Sequence, residues 1–215
     1  MINNIEVRYW RVNSKNGYDL KILSPNATLA DYIKALEDVD INRLCGSYNQ
    51  TGQCKGCGDC CKGRLPLTNI DTYLIRIGLK ELINRELSID EVLKKYCQVK
   101  IEGQSVDITL KTDVEGYCIF LDPNSNSCRL YKYRPLICRT YYCCILTQKA
   151  KLLRELLVNK GEDELVRMWL SLQKSVPLGV NKDDWEPTPF ANCHKYSEVF
   201  LKDICPSKLW RQLIK

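Results

Sequence analysis

Apolar positions recur along the chain at two periods, and each period predicts elements. Residues 1–50 read as an irregular or short-stranded entry followed by a helix in which Leu29, Tyr32, Ile33 and Leu36 share one face behind a Thr28 cap. A second helix is predicted over 67–79, with Ile70, Leu74 and Ile77 on one side and Thr68 or Asn69 as its cap. Ser88, followed three residues later by Glu91, is a capping box that opens a third helix. Between 99 and 110 the period falls to two (Val99, Ile101, then Val106, Ile108, Leu110) around Glu102-Gly103-Gln104, which predicts a β-hairpin. Residues 118–144 read as loops with a turn at 122–126. A long helix is predicted over 145–173, with Lys160-Gly161 as a point where it could break, and a short amphipathic one over 207–214. These signals predict a mainly α chain with one small β-hairpin: a compact cysteine-rich metal-binding domain with loops wrapped around the metal site. Its expected organisation is an N-terminal extension (1–51), a cysteine-cluster domain (52–144) and a helical C-terminal extension (145–215) packed on it as one unit.

Thirteen cysteines in 215 residues are far more than a cytosolic chain carries without a reason. Disulfides fit poorly. The count is odd, the adjacent pairs Cys60-Cys61 and Cys143-Cys144 cannot bridge each other without strain, and the N-terminus lacks the basic start and apolar stretch of a secretory signal. A reducing, cytoplasmic setting is therefore expected. No apolar run approaches the ~18 residues that a membrane span needs. The formal charge of +6 counts every thiol as neutral. Each 4Fe–4S core of charge +2 held by four thiolates would contribute −2, so two would bring the total to about +2. Lys and Arg form no block of five or more, which argues against nucleic acid as a partner.

The first cysteine group is Cys54-x2-Cys57-x2-Cys60-Cys61 in a glycine-rich loop. Two-residue spacings let successive thiolates curl around one centre while backbone amides point at the sulfurs. Zinc ribbons use paired Cys-x2-Cys knuckles instead, so a triple run favours iron–sulfur over zinc. Consecutive side chains tend to point in opposite directions, so one of Cys60 and Cys61 is expected to face a second site. The second group is Cys118, Cys128, Cys138, Cys143 and Cys144. Together the groups suffice for two four-thiolate centres with one cysteine left over, or for a single centre with the remainder packed. Cys45, Cys97 and Cys193 read as small buried hydrophobes, and Cys205-Pro206 is a weak ligand signal. His194, the lone histidine, reads as a surface or core side chain before a ligand or proton shuttle.

Cys54-x2-Cys57-Gly58-x-Cys60-Cys61, Leu67-Thr68 to Asp71, Leu87-Ser88-x2-Glu91 to Tyr96, Gly116-x-Cys118-x-Phe120-Leu121 and Cys128-x2-Tyr131-x2-Arg134-Pro135-x2-Cys138-Arg139-x-Tyr141-x-Cys143 follow one another in order. This series resembles the YkgJ-type CxxCxxCC cysteine-cluster family, a zinc- or iron-chelating domain family that also includes flagellin lysine-N-methylase. The resemblance covers about 52–144. It implies Cys54, Cys57, Cys60, Cys61, Cys118, Cys128, Cys138 and Cys143 as metal ligands, with no counterpart for Cys144. Tyr142 departs from the family, where proline is expected before the last cysteine. Arg134 and Arg139 belong to the same motif, and a guanidinium beside sulfur can donate hydrogen bonds and offset thiolate charge.

Three function classes follow. One is an iron–sulfur protein, with one or two clusters of the 4Fe–4S kind, that carries electrons, senses redox state or handles iron. The second, implied only by the resemblance, is an S-adenosylmethionine-dependent enzyme that modifies a protein substrate. The chain has neither Gly-x-Gly-x-x-Gly after a strand nor the Cys-x3-Cys-x2-Cys spacing of radical use of that cofactor. The third is a structural zinc protein. In each, a protein partner or substrate is the expected contact.

Overall fold

The computed structural model describes residues 3–12, 15–39 and 58–215. Cys45, Cys54 and Cys57 lie outside the described residues. Strands β1 (Ile5–Val12) and β2 (Lys15–Ile22) pair antiparallel, from Ile5 opposite Ile22 to Val12 opposite Lys15. Alternation along β2 turns Tyr18, Leu20 and Ile22 into the core and leaves Asp19 and Lys21 outside. The two-residue strand β7 (Ile145–Leu146) adds to β2 in parallel, with Gly17 opposite Ile145. Gly17 is required there, because a Cβ would stand 2.4 Å from both the Trp10 ring and the Ile145 carbonyl oxygen.

Three helices begin at the caps that the sequence marks. In α1 (Leu29–Glu37), α2 (Asn69–Ile83) and α3 (Ile89–Tyr96), the side chains of Thr28, Thr68 and Ser88 accept the N–H of Asp31, Asp71 and Glu91, whose carboxylates return the bond. Each cap contributes about 1 kcal/mol. The α1 face at Leu29, Tyr32, Ile33 and Leu36 is buried as its spacing predicts. In α2 the inward face differs: Ile70, Ile75 and Leu79 are buried while Ile77 is 43% exposed. The reason is that α2 is packed by α3, by the long helix and by a turn at Tyr131–Tyr133 on separate flanks, so no single stripe describes it.

Strands β3 (Cys97–Glu102) and β4 (Ser105–Leu110) form the predicted hairpin, with Gly103 at φ 61° in the turn. Strands β5 (Leu121–Asp122) and β6 (Ser127–Cys128) make a smaller hairpin, and α4 (Leu136–Thr140) follows. Helix α5 (Gln148–Leu172) runs through Gly161 without a break. A Cβ on Gly161 would lie 2.3 Å from Thr68 Cγ2, so the glycine serves close approach of α5 to the start of α2. Short helices α6 (Leu201–Ile204) and α7 (Ser207–Leu213) close the chain.

The expected fold class is therefore corrected. Among the described residues 44% are helical and 21% strand, with seven strands in three small sheets, which is a mixed chain and not a mainly α one. Three of those strands have only two residues, too few for a period-two signal, and β7 finds its partner about 128 positions away in sequence. Two hydrophobic cores result. One joins β1, β2, α1, the first half of α5 and the C-terminal helices; the other joins α2, α3, the β3–β4 hairpin and the second half of α5. Leu153 and Leu157 of α5 enter the first, Leu165 and Leu170 the second.

Candidate metal centre

The end of the first cysteine group is a 3-10 turn, Asp59–Cys61, closed by the Cys61 N–H donating to the Gly58 carbonyl at 2.8 Å. Gly58 has φ 73°, a conformation that glycine adopts without steric cost. Cys60 and Cys61 both lie in this turn. A 3-10 turn rotates about 120° per residue, and Cys60 is the foremost cause raising the Cys61 thiol. Both also act electrostatically on the second group, Cys60 on Cys118, Cys128 and Cys138, and Cys61 receives the effect of Cys118 and Cys138.

Main-chain bonds fasten the two groups together. The Cys118 N–H donates to the Cys61 carbonyl at 2.7 Å, and the Gly63 N–H to Gly116 at 3.1 Å. The Cys118 carbonyl accepts the Leu121 N–H, and Phe120 accepts the Arg129 N–H, both at 2.8 Å, which sets the β5–β6 hairpin and so Cys128 beside it. Cys138 rides on α4, where its N–H donates to the Pro135 carbonyl at 3.0 Å. The expectation of loops over 118–144 is thus corrected to two short strands and one short helix carrying Cys128 and Cys138.

Asp71 ties this assembly to the fold, a role its place in a capping box does not announce. It is fully buried. Its carboxylate accepts the Thr68 N–H at 2.7 Å, the Leu136 N–H at 2.8 Å and the Tyr196 hydroxyl. Burial pushes its pKa up against those three donors.

Five thiols, Cys60, Cys61, Cys118, Cys128 and Cys138, feel one another's charge. Burial pushes Cys118 up to about 11 and raises Cys128, the latter opposed by nearby Arg134. Cys138 is raised well above the ordinary thiol range by burial first and then by Cys60, Cys118, Cys128 and Asp71. Cys61 is raised first by its bond from Cys60. Among the described residues no three His, Cys, Asp or Glu side chains stand close enough to hold a metal ion as they are. The donor chemistry nonetheless fits a thiophilic cation, because what holds these thiols protonated is burial and each other's charge, and a bound cation supplies the missing countercharge. Cys143 follows α4 and leads into β7; the thiol it raises is Cys144, which burial first lifts to about 12.

The two motif arginines brace this region through the backbone. Arg139 donates to the carbonyls of Arg134 and Lys132 and pairs with Glu37 at 3.0 Å. Arg134 donates to Tyr131 O and stacks 3.9 Å from the Tyr131 ring centroid, and of the two it is the one whose charge lowers Cys128. Tyr142, in place of the expected proline, is buried with its hydroxyl on the Leu36 carbonyl at 2.7 Å and its ring edge-on to Tyr18. It anchors the segment to α1 and β2 by its side chain. Cys97 and Cys205 are buried and pushed up to about 12, foremost by burial, as packed apolar side chains. His194 stands edge-on to Tyr73 with ring centroids 4.6 Å apart, and Cys193 beside it points at the carbonyls of Pro189, Ala191 and Glu198.

Residues 53–156 match the family model CxxCxxCC, described as "Putative zinc- or iron-chelating domain". This stretch is similar to the CxxCxxCC domain family. The match reaches past Cys144 into the first turns of α5. The chain is also similar to the uncharacterized protein MJ0661 of Methanocaldococcus jannaschii, with 35% identity over 99 residues, covering 46% of this chain and 48% of that one. It thus spans about half the length of that relative. No solved structure matches the chain. No helix among the described residues is long and apolar enough to cross a membrane.

Proposed function

We propose that the CxxCxxCC domain holds iron as an iron–sulfur cluster, with thiolates drawn from both cysteine groups, and that the chain carries electrons or handles iron in a reducing cytoplasm. The observation that supports this reading is the bond from the Cys118 amide to the Cys61 carbonyl, which fastens the 58–61 turn to the start of the second group. The ligands in this reading are Cys54, Cys57, Cys60, Cys61, Cys118, Cys128, Cys138 and Cys143. The triple Cys-x2 spacing favours iron–sulfur, because three corners of a cubane need such a run and a zinc knuckle needs only a pair. An all-thiolate set also fills its metal's coordination sphere, which suits electron transfer or structure better than catalysis at an open position.

Purification under argon tests it, with iron, acid-labile sulfide and zinc measured on the same sample. The expected result is a brown protein with iron and sulfide in similar amounts and visible absorption bleached by dithionite. Stoichiometric zinc without sulfide in a colourless protein would replace iron with zinc. A protein free of both metals after reconstitution would overturn the reading altogether.

A further inference from the structure

We propose that Asp71 is a positioning residue for Cys138: its buried carboxylate holds the backbone turn that presents this sulfur to the other thiols. The inference rests on the metal reading above and deepens it. Capping boxes open α1, α2 and α3, and two of them, Thr28 with Asp31 and Ser88 with Glu91, are partly or largely exposed. The third is fully buried and does more than cap. One oxygen of Asp71 serves the box by accepting the Thr68 N–H; the other reaches across to the Leu136 N–H at 2.8 Å and takes the Tyr196 hydroxyl as well.

Leu136 is the first residue of α4, and the residue before it, Pro135, supplies no side-chain cap. The orphan amide at the start of that helix therefore takes its acceptor from α2, 65 positions away. Cys138 lies two residues further on, in the same turn, with its own N–H on the Pro135 carbonyl. A shift of Leu136 carries Cys138 with it. Tyr196 locks the same oxygen from the C-terminal segment, so three distant stretches converge on one carboxylate beside the cysteine turn. Outer groups that fix a ligand's orientation typically govern metal affinity by 10–100-fold.

The test uses the full chain, metal-free under argon, titrated with cobalt(II) and read by thiolate-to-metal charge-transfer absorption. Asp71→Ala is expected to weaken cobalt binding by about 10–100-fold, and in a Cys138→Ser background the same change is expected to add nothing. Additive losses in the double variant, or undiminished affinity in Asp71→Ala, would overturn the assignment. Should Asp71→Ala not fold, Asp71→Asn leaves one accepting oxygen where Thr68, Leu136 and Tyr196 now use two, which loosens the hold on the Leu136 amide, and Thr68→Ala is its control. Thr68→Ala removes the hydroxyl of the same cap and leaves the Leu136 bond in place; it is expected to lower stability while keeping wild-type cobalt bands. Asp71→Asn is expected to weaken or shift those bands. Equal loss of binding in both would show a merely structural role and overturn the inference. Failure of the metal reading is distinguishable, because the wild-type chain itself would then give no cobalt–thiolate absorption.

Discussion

Gly161→Ala is expected to destabilise the protein although alanine is the better helix former. In the interior of α5 the exchange should gain about 1 kcal/mol of helix propensity. The added methyl, however, would stand 2.3 Å from Thr68 Cγ2, 2.6 Å from Thr68 Cβ and 3.1 Å from Phe190 Cε1. Apolar carbons rest at about 3.5–4.0 Å, so more than 1 Å must be recovered. Thr68 cannot swing aside, because its hydroxyl accepts the Asp71 N–H at 3.1 Å and its backbone N–H is held by the Asp71 carboxylate at 2.7 Å. Overpacking costs about 1–3 kcal/mol, and loosening the cap adds about 1. Against the propensity gain the net loss comes to about 2 kcal/mol, or about 4–8 °C in Tm for a chain of this size. Urea unfolding followed by circular dichroism measures it. Equal or greater stability in Gly161→Ala would refute the claim that α5 and the start of α2 are locked at contact distance.

Further outcomes follow from the same geometry. Cys128→Ser should lower bound metal, whereas Cys205→Ala and His194→Ala should leave it at the wild-type level, because Cys205 is packed in the first core and His194 lies against Tyr73; metal analysis of the purified variants checks this. Glu162 of α5 accepts from Arg64 at 2.8 and 3.0 Å, and burial together with Asp107 pushes its pKa from 4.5 to about 7. A carboxyl that keeps its proton longer when folded favours the folded state at low pH and loses that contribution as pH rises from about 4.5 to 7. Asp107 titrates below its ordinary value of 3.8, outside that window. The urea midpoint of wild type should thus fall relative to Glu162→Gln between those pH values, and parallel profiles would contradict the assignment.

Local signals in the sequence translated faithfully where one residue's chemistry decides the outcome. The three caps at Thr28, Thr68 and Ser88 and the buried face of α1 follow from hydroxyl geometry and a 3.6-residue period. The N-terminal strands also carry an alternation, Tyr18, Leu20 and Ile22 against Asp19 and Lys21, strong enough to argue a paired strand rather than an irregular entry. What local pattern could not carry is non-local. Gly161 reads as a helix breaker until Thr68 is seen beneath it, and Ile77 reads as core until α2 is seen to be packed on several flanks. The candidate centre divides in the same way. The cysteine spacing and the family series name the thiols, and the bond from the Cys118 amide to the Cys61 carbonyl fastens the end of the first group to the start of the second. The 3-10 turn that carries Cys60 and Cys61 has no local signal in the cysteine spacing, and the reach of Asp71 to Leu136 depends on a contact between segments 65 positions apart.

X-ray absorption at the edge of the bound metal, on protein isolated under argon, tests the central claim most directly. A shell of sulfur scatterers at about 2.3 Å is predicted, diminished both by a serine in the first group, Cys60→Ser, and by one in the second, Cys118→Ser. A shell of nitrogen and oxygen, or sulfur lost from substitutions in one group alone, would contradict a centre shared between the two stretches.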